Sequence, residues 1–292
     1  MYAERKDLNA RTRRISRIVQ GMPATDGAGV ELTRMIGSPQ LNLLDPFLLL
    51  DAIRSDRPQD YIAGFPSHPH RGFETVTYLL AGRMRHKDSA GHEGVVGPGG
   101  VQWMTAARGI VHSEMPEQEN GLLDGFQLWV NLPASHKLAP PAYQEFSAEQ
   151  IPVERRPGGV EVRVIAGATG LGTQGPVRQP LTEPVYLDVA VPGGAGFDEA
   201  LPEGHNAFLY VMQGRVELAD LEGRDAPVRA TELAVLSHGE RVELRSGAEG
   251  ARLLLVAGRP LNEPVARGGP FVMNTRAEVL QAYEDYAAGR LG

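Results

Sequence analysis

Two short pairs constrain this chain more than any other feature: His68-Pro69-His70 and His112-Ser113-Glu114. In an extended strand, residues i and i+2 project from the same face. Each pair therefore aims two side chains at one point, and two facing strands supply four. Between the pairs runs the alternating segment Thr75-Val76-Thr77-Tyr78-Leu79-Leu80, followed by the turn Ala81-Gly82-Arg83. That is a strand–turn–strand pattern. A sheet folding back on itself would bring both pairs into a barrel interior. Three imidazoles and one carboxylate suit a divalent transition ion of borderline softness: iron, manganese, nickel, copper or zinc. A lone strand histidine is more often a wall residue than a ligand. Two such pairs on strand patterns predict a metal site.

The flanking sequence predicts more strands. Arg14 to Val19 and Val30 to Met35 alternate, which suggests a first hairpin around Asp26-Gly27. The run Leu43 to Asp51, broken by Asp45 and Pro46, reads as a buried strand entering the first barrel. Pro69 lacks a ladder donor, so its strand should start there or lie on an edge. His86 and His92 flank a Ser-Ala-Gly turn without the i+2 spacing and read as hairpin-loop residues. Gly97-Pro98-Gly99-Gly100 is a turn, and the absence of a following Lys-Ser/Thr argues against a phosphate loop. Gln102 and Arg108 are candidates for the cavity wall. Asn131 to Pro141 reads as the linker leaving the barrel, and Ser147 as the cap of one helical turn.

A second β-rich region runs from Val160 to Gly258 and repeats the first weakly, with Tyr210 to Val216 echoing Tyr78 to Met84. Laying Tyr210 on Tyr78 puts Ala200 and Pro202 where His68 and His70 stand, so the second barrel should lack the ligands. His205 and His238 have no ligand-type residue at i+2. Near the end, Thr275 and Glu278 form a capping box. Val279, Tyr283 and Ala287, with Leu280 and Tyr286 alongside, predict an amphipathic helix packed on a barrel and closed by Gly289.

With 292 residues the chain can form two domains with cores of their own, and 35 glycines and 22 prolines suit short strands joined by turns. The net charge of -7 argues against direct nucleic-acid binding. The absence of cysteine excludes disulfides, thiolate metal sites and cysteine nucleophiles. Arg13-Arg14 suggests a twin-arginine signal, but only Ile18-Val19 follows in place of an apolar region. A solvated tail leading into a strand at Ser16 to Gln20, in a monomeric cytoplasmic protein with no membrane contact, is the expectation.

The segments HPHRGFETVTYLL, GPGGVQWMTAARGIVHSEMP and FQLWVNLP closely resemble the pirin family of the cupin superfamily. The resemblance extends upstream through LNLLDPFLLLDAI and downstream through GPFVMNTRAEVLQAYEDYAAGRLG. It implies an all-β bicupin: two cupin-type β-barrels in tandem with a short C-terminal helix. The expected division is a metal-binding domain over residues 1–145 and a domain without ligands over 146–292. It also implies one iron, as Fe(II), held by His68, His70, His112 and Glu114. The general cupin pattern equally fits Glu74 in the carboxylate slot. Glu114 is favoured because its i+2 relation to His112 aims both inward, which leaves Glu74 to orient an imidazole or substrate. The activity implied is opening of flavonols such as quercetin by a 2,3-dioxygenase, with Glu114 as both ligand and base. The rival is a redox-sensing iron protein that binds a transcription factor or metabolic enzyme.

Overall fold

Alternating apolar and polar residues become antiparallel ladders almost throughout. The computed structural model describes residues 11–291, which form two units. One comprises Gly21–Ile151, Pro176–Glu183 and the chain from Pro260 onward. Its larger sheet has seven strands in the order Ala142–Phe146, Val101–Thr105, Phe73–Ala81, Leu123–Asn131, Phe47–Ser55, Val30–Ile36, Met22–Asp26. Its smaller sheet runs Phe65–His70, Ile110–Pro116, Met84–Asp88, Glu93–Val96. Thr77 on the first sheet donates to Glu114 on the second, so the two inner faces meet.

The other unit comprises the described residues up to Gln20, then Pro152–Gly175 and Pro184–Arg259. Its nine strands share one sheet centred on the long strands Asn206–Ala219 and Arg241–Gly258. They enclose an apolar core that includes Val162, Val164, Leu187, Leu209, Leu253 and Leu255. The all-β, two-cupin architecture is as expected, with a helix, Arg276–Ala287, near the C-terminus. No helix among the described residues is long and apolar enough to cross a membrane.

Several local expectations change. The single cut at 145/146 gives way to interleaved units, because the strand Ile15–Gln20 pairs with Glu232–Leu236 and the chain beyond Pro260 packs with residues 21–151. The hairpin at Asp26-Gly27 therefore joins Met22–Asp26, not the first strand, to Val30–Ile36. Residues 1–10 of the expected tail lie outside the described residues, but Arg13 is buried. It donates to the carbonyls of His205, Ser237 and Pro202. Asn131 to Pro141 is no domain linker, since Ala142–Phe146 returns to pair with Val101–Thr105.

The capping box of Thr275 with Glu278 forms as the sequence indicates, and Ser147 stands at the N-cap of a short helical turn, its N–H donating to Gln150 Oε1 at 2.9 Å. The helix, however, buries Val279 and Ala282, while Leu280, Tyr283 and Tyr286 remain exposed. In the second barrel the ungapped alignment is out of phase. Ala200 and Pro202 face solvent, and Phe197 and Leu201 are the core residues. The one candidate metal-ligating cluster among the described residues is His68, His70 and His112.

Candidate metal centre

The smaller sheet builds the site. Phe65–His70 is its edge strand, which accommodates Pro69. Register sets His112 opposite His68 and Ile110 opposite His70, and an irregularity between His112 and Glu114 sets Glu114 opposite Phe65. One ligand atom from each of His68, His70 and His112 lies within 4.8 Å of the others. Their ring centroids are 4.5 to 5.1 Å apart.

Hydrogen bonds select the nitrogen each ring presents. His68 Nδ1 contacts the Pro66 carbonyl at 2.8 Å, and His70 Nδ1 contacts that of Pro270 at 3.4 Å. A carbonyl only accepts, so both Nδ1 atoms carry hydrogen and both Nε2 atoms carry lone pairs. Those two Nε2 atoms face each other at 3.0 Å. Both ring nitrogens of His112 are buried without a hydrogen-bond partner among the described residues. Facing lone pairs and an orphaned buried imidazole are costly alone, and a cation among them resolves both. The residues thus fit a metal ion. Burial first, then the neighbouring imidazoles, pushes His70 well below its usual range. Burial likewise brings His112 down to about 4, against the opposing pull of Glu114. Neutral imidazole is the ligating form.

Glu114 is buried beside the cluster but is not part of the mutually close set. Its oxygens accept from Thr77 Oγ1 at 2.9 Å and Gln127 Nε2 at 3.0 Å. Glu74 and Thr77 differ by an odd number of strand positions, so they leave opposite faces of Phe73–Ala81. Glu74 accepts instead from Thr105 Oγ1 at 2.6 Å and Gln179 Nε2 at 2.5 Å. It contacts no histidine of the cluster, so the role of orienting an imidazole is not seen. His86 is a buried strand residue whose Nε2 lies 2.6 Å from Glu145, not a loop residue. His92 does sit at the hairpin turn, 3.0 Å from Asp88.

A cavity of about 640 Å³ reaches His68, His70 and Glu114, with walls that include Leu32, Leu49, Ile53, Phe65 and Trp129. Gln102 and Arg108 do not line it. Gln102 is buried against Glu145, and Arg108 is exposed. Sequence reading missed Thr77, Gln127 and Trp129, although strand parity could have found them. It also missed the strand pair Ala266–Gly268 and Phe271–Met273, whose turn lends Pro270 to His70. This hairpin seats on Gly72, where a Cβ would come 1.9 Å from the Val272 carbonyl. Buried Lys137 fastens it by donating to the carbonyls of Gly72 and Val272 at 2.6 and 2.9 Å.

The Pirin profile matches residues 29–130, and the Pirin C-terminal cupin domain matches residues 186–292. A pirin-like protein of Caulobacter vibrioides is 53% identical over 278 residues, covering 95% of this chain and 99% of that protein. Human pirin is 41% identical over 284 residues, covering 96% and 94%. A crystal structure of quercetin 2,3-dioxygenase from Acinetobacter baumannii superposes with a TM-score of 0.87 at 34% identity, covering 97% of this chain and 99% of that one. By profile, sequence and fold, this chain belongs to the pirin family, with two cupin domains.

Proposed function

We propose that this chain is an iron-dependent dioxygenase that opens flavonols such as quercetin, with His68, His70, His112 and Glu114 as the ligands of one Fe(II). The observation that carries this reading is the cavity: partly walled by Leu32, Leu49, Ile53, Phe65 and Trp129, large enough for an aromatic ligand and continuous with the cluster. The likeness to the Acinetobacter baumannii quercetin 2,3-dioxygenase supports the substrate class. Iron at the site would supply Lewis acidity toward an enolic oxygen and an electron route to dioxygen. The chain's own residues supply the rest. Pro66 and Pro270 fix the imidazole orientations, and the apolar walls exclude water around the rings. Glu114, steadied by Thr77 and Gln127 and lining the cavity, takes the proton of the 3-hydroxyl.

Oxygen uptake by iron-loaded protein tests the proposal. Uptake should require added flavonol and vanish in His70→Ala. Metal analysis should include nickel, the ion in the structure of a bacterial pirin from Escherichia coli. If several flavonols give no turnover, while ferrous and ferric protein differ in binding a protein partner, the regulatory reading replaces the enzymatic one.

A further inference from the structure

The cavity has a second end. Besides the histidines, two guanidiniums and three carboxylates line it: Arg34 and Arg267 against Asp26, Asp51 and Glu114. Arg34 is consumed internally. It donates to both oxygens of Asp51 at 2.8 and 2.6 Å and to Asp26 at 2.8 Å. Arg267 has no carboxylate within ion-pair distance among the described residues. One nitrogen donates to the Leu48 carbonyl at 3.3 Å, and the guanidinium carbon stands 4.8 Å from the centroid of the Trp129 ring. Such stacking fixes a guanidinium while leaving in-plane donors available. Trp129 itself meets the His70 ring edgewise at 5.2 Å. Histidine cluster, indole and guanidinium thus follow one another along the cavity, a span suited to a linked ring system.

Charge points the same way. The lining carboxylates exceed the guanidiniums by one, and a divalent ion at the histidines reverses that sign. The loaded cavity therefore favours an anion, and Arg267 is the cation with donors to spare.

We propose that the cavity takes planar aromatic ligands bearing an anionic oxygen group at the end remote from the histidine cluster, and that Arg267 binds that group. The inference rests on the cavity being the substrate site of the proposed dioxygenase. Arg267 belongs to Ala266–Gly268, one strand of the hairpin whose Pro270 carbonyl orients His70. A single hairpin thereby sets both the ligand end and the anion end. Arg267 is a specificity residue, not a participant in oxygen chemistry.

The test is fluorescence titration of the full-length protein loaded with zinc, which is redox-inert, using 3-hydroxyflavone and its 4′-carboxylate. Wild type should bind the carboxylate about tenfold more tightly, the scale of a partly exposed charge-assisted contact. Arg267→Gln should abolish that preference and leave 3-hydroxyflavone within about twofold, while Arg267→Lys should retain part of it. Equal affinities in wild type, no binding of either probe, or an equal loss for both in Arg267→Gln overturns the proposal. The dioxygenase reading fails separately, by absent oxygen uptake in iron-loaded protein while the binding preference persists.

Discussion

In the unit built mainly from residues 152–175 and 184–259 the core is largely aliphatic, and Val162, Val164, Leu187, Leu209, Leu253 and Leu255 are fully buried. In the unit built mainly from residues 21–151 the smaller sheet turns His68, His70 and Glu114 toward a cavity, with His112 buried beside the other two histidines. One strand pattern thus yields a filled barrel and a hollowed one. Apolar burial at about 25 cal/mol per Å² stabilises the first without further conditions. Polar burial destabilises the second unless every group finds a partner. Thr77 and Gln127 satisfy Glu114, but no residue among those described satisfies His112. At His112 the missing partner falls where a ligand is expected.

The largest effect should come from removing the odd imidazole. His112→Ala is expected to take metal content from one ion per chain to none, with the circular dichroism of metal-free protein unchanged. Elemental analysis finding two ions per wild-type chain would erase the contrast between the barrels.

Next comes the filled barrel. Leu255 is fully buried, so Leu255→Ala should cost about 2–5 kcal/mol in urea unfolding, through lost burial plus the cavity left behind. Metal content per folded chain should not change. A loss of metal alongside stability would mean that the second barrel helps to form the site.

The smallest effect separates the two glutamates. Glu114→Gln should weaken metal binding by at least the roughly 10–100-fold that losing a group which merely orients a ligand costs, and Glu74→Gln should leave it nearly unaltered. Glu74 should show itself in pH dependence instead. Burial pushes its carboxyl up to about 7 from an ordinary 4.5. The fold therefore favours the protonated form. Its stabilising contribution is complete below about pH 4.5, declines as pH rises and is lost above about 7, a change of roughly 3 kcal/mol at most. Unfolding midpoints at pH 5 and pH 8 should converge in Glu74→Gln. A metal-affinity ranking with Glu74 foremost would move the carboxylate ligand to the other face of its strand.

The sequence by itself determined the clustering of His68, His70 and His112, most strands and the capping box at Thr275 and Glu278. These depend on periodicity and on side chains within a few residues of one another, so a short stretch contains the whole cause. Tertiary structure decided what depends on partners far along the chain. Strand pairing, not local pattern, placed Ile15–Gln20 with Glu232–Leu236. It also showed the second barrel to turn Phe197 inward in place of Ala200. Glu74 and Glu114 both satisfy a ligand pattern in the sequence, and their separate neighbours emerge only when two sheets face each other. The hairpin at residues 266–273 reaches His70 from 200 positions away. Neither its Pro270 carbonyl nor its Arg267 guanidinium has a local signature, because each acts only where folding has brought distant backbone together.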